Sequence, residues 1–236
     1  MNNKKKILVF TATYNEKENI EKLILDIKLN LPFSSLLIID DNSPDGTGKI
    51  IRELQTKIDE LTLIERKEKS GLDSAHKLAY RHAIENNFDY LITMDADFSH
   101  DPTELPSIVK HLDHHPFVLG SRYINGGECL MKGTRFFLSQ FGNKLIKIVS
   151  GIEVNEFTTS YRGFNLKKLK DFDLKNINFK GYSFFMGTIF ELSKNNIYVK
   201  EIPITFKDRD KGVSKIPRLE ILRTLKNLLL FYLKKF

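Results

Sequence analysis

"LITMDADFSHDP", Leu91–Pro102, sets an apolar run against two aspartates one residue apart. Leu91, Ile92 and Met94 surround a single Thr93, and neither Gly nor Pro interrupts the run, so Tyr90 to Asp95 reads as a strand. Side chains at i and i+2 of a strand point to the same side, so extended geometry carried onward would bring the Asp95 and Asp97 carboxylates together. Two like charges ~4 Å apart repel by about 4 kcal/mol at an effective dielectric near ~20, unless a proton or cation lies between them. A hard divalent cation that prefers oxygen ligands answers that repulsion.

Working outward, similar apolar runs occupy Lys6 to Thr13, Leu36 to Asp41, Leu61 to Arg66 and Val118 to Arg122. Helical patterns lie between them at Glu16 to Asn30, Thr47 to Ile58, Asp73 to Asn86 and Pro102 to His111. This alternation predicts a single α/β domain whose mostly parallel central sheet is flanked by helices on both faces. In such sheets ligands bind beyond the carboxyl ends of the strands, where strand order switches.

The 236 residues hold one such domain with a full core, and the 41% hydrophobic and 28% charged composition is that of a folded protein. No segment approaches ~18 consecutive apolar residues, so nothing is expected to span a membrane. The basic start "MNNKKK" precedes a short apolar run without a small-residue cleavage site, which argues against a signal peptide and for the cytoplasm. The lone Cys129 excludes an internal disulfide and a Cys-based zinc site. The formal charge of +7 favours anionic partners, and the stretch from Arg209 to Lys235 is dense in Lys and Arg interleaved with apolar residues. The basic residues form no recognised nucleic-acid motif, so nucleic acid is not expected as a partner.

The strand-end loops carry the unusual residues. "TATYNEKEN" places Tyr14 and Glu16 after the first strand and lacks the glycine patterns of dinucleotide-binding and P-loop folds, which makes a dehydrogenase or NTPase a poor fit. "IIDDNSPDGTG" stops an apolar run at Asp40 and Asp41, and its Asx and Pro-Asp-Gly chemistry explains a turn with no ligand at all. Asp41 has the alternative of accepting hydrogen bonds from a ribose or base.

Together, "TYNEKEN", "DDNSPDGTG", "DADFSHDP", "GSRYINGG" and "EIPITFKDRDKGVSKI" resemble, in order and spacing, the dolichyl-phosphate mannose synthases, inverting glycosyltransferases of family 2 with the GT-A fold. The resemblance covers nearly the whole chain. It implies a Rossmann-like GT-A domain over residues 1–215, a nucleotide-sugar donor (usually GDP-mannose), Mg²⁺ or Mn²⁺, and a polyprenyl or dolichyl phosphate acceptor. It also implies a donor pocket containing Ala12, Tyr14, Glu16, Ile39, Asp41 and Ala96. Asp95 and Asp97 would engage donor and metal, with Ser99 either a further ligand or the start of a turn. His100 reads as a solvated neighbour rather than a ligand. Arg122 in "GSRY" has a planar fork suited to phosphate, with a plain salt bridge as its alternative. Arg135 and Ser139 lie one helical turn apart and share a face. The resemblance gives that pair, and Arg162 of "TTSYRGFN", to the acceptor phosphate, and gives Arg209 and Lys215 to a basic loop over the donor.

A phosphate acceptor already carries about −1.5 to −2 charges at neutral pH and needs no strong base. A rival transferase acting on a hydroxyl would need one, for which Glu156 and Asp173 are the places to look. A nucleotidyltransferase lacks its basic phosphate clamp here, and a non-catalytic nucleotide-sugar-binding subunit is the remaining alternative. The chain departs from the resemblance at Ala12, where Pro is common, at Asp73, where Gly is usual, and at Phe185 and Gly187, where many synthases carry Gln and Glu. The last two put the identity of the sugar and acceptor in question. Residues 216–236 read as an amphipathic helix, either interfacial on the cytoplasmic face of a membrane or packed on its own domain or on a second subunit; a membrane partner subunit would be a further way to reach a lipid.

Overall fold

A computed structural model describes residues 5–208 and 220–235 of the chain. The first half alternates as the sequence predicts: β1 (Ile7–Thr13), α1 (Ile20–Asn30), β2 (Ser35–Asp40), α2 (Thr47–Gln55), β3 (Leu61–Glu65), α3 (Leu72–Glu85) and β4 (Tyr90–Thr93). A 3₁₀ turn at Pro102–Glu104 leads into α4 (Leu105–Leu112), then β5 (Phe117–Ser121), the short β6 (Glu128–Cys129) and α5 (Thr134–Ser150). The chain closes with β7 (Arg162–Asn165), α6 (Ser183–Lys194), β8 (Val199–Pro203), β9 (Thr205–Phe206) and α7 (Glu220–Lys235).

Among the described residues the main sheet has seven strands in the order β3-β2-β1-β4-β7-β5-β8, and a second pairing joins β6 to β9. All main-sheet pairings are parallel except those of β7, which runs antiparallel between β4 and β5. Alternate strand residues face opposite layers. Ile7 and Val9 pack with Ile20 and Leu23 of α1, Ile51 of α2 and Leu105 of α4. Leu8 and Phe10 face the layer of Ala79 of α3, Phe184 of α6 and Leu228 of α7. Burial on both sides is why the central strands read as continuous apolar runs rather than alternating ones.

From β1 the chain passes through α1 to β2 on one side, and later through α3 to β4 on the other. Strand order therefore switches at β1, and the crevice expected at such a point opens between the carboxyl ends of β1 and β4. The reversed β7 adds a second feature. Its entering end lies on the rim where its parallel neighbours finish, so the segment before it, residues 156–160, reaches the same crevice.

Candidate active site

A cleft of about 470 Å³ occupies this switch point. Its floor comes from the loops after β1, β2 and β4, with Ala12, Tyr14, Glu16, Asp41, Asp95 and Asp97 on the wall. Two loops are stapled together to form it. The Asn15 and Glu16 amides donate to Ser43 Oγ (2.9 Å) and Thr47 Oγ1 (3.0 Å), and the Lys17 amide donates to Asp45 Oδ2 (3.1 Å). Against the opposing effect of burial, the bonds that Asp45 accepts from the Thr47 hydroxyl and amide and from the Lys17 amide hold its carboxyl below its usual range. The turn reading of "NSPDG" thus holds for its own residues.

Asp40 and Asp41 divide. Asp40 accepts from Thr13 Oγ1 (2.7 Å) and from the Ser43 amide and hydroxyl (2.8 and 2.6 Å), closing the turn. Asp41 lines the cleft and pairs with the Arg66 guanidinium, which also donates to Ser74 Oγ and to the Gly71 carbonyl. Lys69 Nζ stands 4.4 Å from the centre of the Tyr14 ring.

Asp95 and Asp97 do share the cleft, though a turn brings them there rather than a pleat. β4 ends at Thr93 and the chain bends over residues 96–99, with Phe98 at φ +61°, so the strand pairing stops before the first aspartate. Ser160 Oγ donates to Asp95 Oδ1 (2.5 Å), while Asp97 Oδ1 accepts from the Ser99 amide (3.1 Å) and hydroxyl (2.6 Å). Ser99 is buried and lies outside the cleft lining, which gives its turn role the stronger support. His100 is fully buried, not solvated. Its Nδ1 accepts from the Asp95 amide (3.0 Å), which leaves the proton on Nε2, 3.1 Å from Thr159 Oγ1. Burial drives its pKa down to about 3, so the ring is neutral with its lone pair used.

Among the described residues no three His, Cys, Asp or Glu side chains gather to hold a metal. The fit to a divalent cation is nevertheless good in kind. Two carboxylates in a cleft are the protein share of a Mg²⁺ or Mn²⁺ site that is completed by substrate phosphates and water.

Cations rim the same cleft: Arg66, Lys69, Lys180 and Arg223. Of these, Arg66 sits one residue past β3 and was within reach of the strand-end rule. Lys180 and Arg223 arrive through tertiary packing and carried no local signal. Asp73 accepts from the Gly181 amide (2.9 Å), so the unusual acid ties α3 to the loop before α6.

A second cleft, about 570 Å³, lies between the β5–β6 loop and α5. Arg122, Tyr123, Cys129, Phe136, Lys144 and Lys147 line it. Arg122 does not present its fork there. Nε and Nη2 donate to the two oxygens of Glu156 (2.7 and 2.8 Å), so Nη1 is the guanidinium nitrogen that Glu156 does not engage. Arg122 in turn holds the fully buried Glu156 carboxyl below its usual range, overcoming desolvation. Glu156, fully buried with both oxygens on Arg122, lines neither cleft, and neither does Asp173, which caps a 3₁₀ turn and pairs with Lys175. Ser139 accepts from Tyr123 Oη (2.8 Å), and Arg135 is exposed with Asp208 at 3.3 Å. Gly127 permits the return of this loop, since a Cβ there would lie 2.5 Å from the Ser121 carbonyl oxygen.

Two expected site residues belong to the core. Ile39 is wholly buried on β2, facing the layer beneath α3. Arg162 is 1% exposed; it donates to the Thr159 and Phe157 carbonyls (2.8 and 3.2 Å), lies 4.8 Å from the Phe185 ring centre and leaves Nη1 without a partner. Strand alternation on β7 turns it inward. Phe185 is equally buried, and Phe179 occupies the space beside Gly187, where a Cβ would come within 2.2 Å of the ring. Neither departure touches a cleft. Arg209 and Lys215 lie outside the described residues.

Residues 8–172 match the model of glycosyl transferase family 2. The chain is 33% identical over 212 residues to polyprenol monophosphomannose synthase of Mycolicibacterium smegmatis, covering 89% of this chain and 80% of that protein. It is 32% identical over 212 residues to undecaprenyl-phosphate mannosyltransferase of Micrococcus luteus, covering 89% and 87%. Among solved structures, glucosyl-3-phosphoglycerate synthase of Mycobacterium tuberculosis, in complex with Mn²⁺, UDP and glucosyl-3-phosphoglycerate, superposes with a TM-score of 0.69 at 14% identity over 98% of this chain and 80% of that one. That likeness extends to the fold, a GT-A arrangement with its mostly parallel sheet.

Proposed function

The chain belongs to glycosyl transferase family 2, and from that membership we propose that it moves mannose from GDP-mannose to polyprenyl phosphate at a membrane surface. The observation that carries the reading is the pairing of Asp95 and Asp97 in the switch-point cleft, with a second, cation-lined cleft at Arg122 on the same sheet rim. The relatives named for lipid-phosphate mannose transfer supply the substrate class. Tyr14, Glu16, Asp41 and Ala96 would receive the nucleoside end, with Arg66 holding Asp41 in place. Mg²⁺ or Mn²⁺, held by Asp95 and Asp97 and by the diphosphate, would stabilise the negative charge left when the sugar–phosphate bond breaks.

The acceptor phosphate would enter the second cleft through Arg122 Nη1, with Lys144 close by and Arg135 and Ser139 on the adjoining helix. A phosphate monoester attacks without surrendering a proton to the protein, and the locked Glu156 agrees with that. One displacement from the face opposite the leaving diphosphate inverts the anomeric carbon.

The membrane arm rests on α5 and α7, which pack against each other. Phe137, Leu138 and Phe141 of α5 are more than half exposed, as are Leu229 and Leu233 of α7. No described helix is long and apolar enough to cross a membrane, so these faces suit the interface.

The test incubates the purified chain with radiolabelled nucleotide sugars, polyprenyl phosphate and Mg²⁺ or Mn²⁺, and counts label in the organic phase. GDP-mannose is expected to lead. A chain that releases sugar only to water or to a hydroxyl acceptor overturns the reading.

A further inference from the structure

Five residues stand between the two clefts, and nearly every polar group among them is committed to one side or the other. At one end the fully buried Glu156 holds Arg122 through both oxygens, and Thr158 Oγ1 accepts from Arg122 Nη2 (2.8 Å). Asn143 Oδ1, on α5, accepts from the Phe157 amide (2.7 Å), fixing the segment to the helix that borders the second cleft. At the other end Ser160 Oγ donates to Asp95, and the Ser160 carbonyl accepts from Thr93 Oγ1 (2.5 Å) at the end of β4. In the middle Thr159 Oγ1 meets the Nε2 proton of His100, whose Nδ1 holds the Asp95 amide. Beneath, Arg162 ties the Phe157 and Thr159 carbonyls to the sheet.

The geometry points to residues 156–160 as a positioning bridge that fixes the spacing between the donor carboxylates and the acceptor-side Arg122, with Glu156 and Ser160 as its two anchors. This rests on the proposed reading of the clefts as donor and acceptor sites, and adds that neither anchor serves its own cleft alone. Rigid registration matters because a misplacement on the order of 1 Å between reactants costs around 100-fold in rate.

Two measurements test it on the full chain. In transfer assays Glu156→Gln is expected to raise the donor KM as well as the acceptor KM, and Ser160→Ala to raise the acceptor KM as well as the donor KM. Each cross-effect should be roughly 10-fold, the size of one lost hydrogen bond to a charged group. Effects confined to each variant's own substrate overturn the bridge. The second measurement needs no turnover and so decides the bridge even if the proposed reaction fails: the alkylation rate of Cys129, which lines the second cleft, by iodoacetamide. Ser160→Ala, on the donor side, is expected to change that rate several-fold, and a wild-type rate overturns the proposal. Should Ser160→Ala not fold, Thr159→Val cuts the bridge at its centre and carries the same expectation and the same refutation.

Discussion

Neighbouring aspartates in this chain do different work. Asp40 closes a turn and Asp41 lines the cleft, and the sequence "DD" could not divide them because the difference lies in which acid meets Arg66 and which meets Thr13. Asp95 and Asp97 were legible because an apolar strand that ends in acids is physically odd. Arg162 was not legible: only the resemblance gave it to the acceptor phosphate, and its pairing opposite Thr93 and Leu119 turns it into the core. Its two carbonyl partners need a wide, planar donor. Arg162→Lys is therefore expected to cost roughly 1–3 kcal/mol in denaturant unfolding, because one ammonium cannot replace both bonds in that geometry. Asp97→Ala should abolish transfer at saturating Mn²⁺, whereas Arg135→Ala should chiefly raise the acceptor KM; wild-type rates from the Asp97 variant would remove the metal assignment.

Elements in the first half follow the sequence closely, since α/β alternation stamps each with its own periodicity. β7 escaped notice because it has four residues, carries Gly163 and Arg162, and borrows its stability from strands on both sides. The terminal helix answers one half of a choice its composition left open. Leu228 is buried and Phe231 stacks on Phe190 with ring centres 3.8 Å apart, so one face docks on the domain while Leu225, Leu229 and Leu233 remain outside. The reading of a helix packed on its own domain thus holds for one face, and the exposed face is the one a vesicle experiment tests. Replacing Phe137 and Leu229 with aspartate should reduce cosedimentation with anionic vesicles by tenfold or more, since each loses about 1.5–3 kcal/mol of apolar transfer, while the melting temperature stays near wild type. Binding of the unaltered chain should also weaken as salt rises, through its basic residues.

For the molecule as a whole, pH enters through Glu104. Burial pushes its pKa up to about 7 against the lowering effect of the Thr205 amide on Oε1, and Oε2 lacks a partner among the described residues. An acid whose folded pKa exceeds its unfolded value favours the fold while protonated in both states, and that advantage fades as pH rises from about 4.5 through about 7. Glu104→Gln keeps the acceptor and removes the charge. It should melt higher than wild type at pH 8, by about 2–4 °C after discounting for partial exposure, and equal it at pH 4. A gain that persists unchanged at pH 4 would place the cause elsewhere.

The reversed strand also bears on how the chain assembles. Until β7 inserts, β4 and β5 have no hydrogen-bonded link to one another, because the order of the sheet puts it between them. Its partners are distant in sequence, and such contacts close slowly. The loops after β1, β2 and β4 precede this strand in the chain, but the two halves of the sheet are hydrogen-bonded to one another only with it in place. The joined rim on which the crevice sits thus depends on a strand that the chain supplies only after β4 and β5.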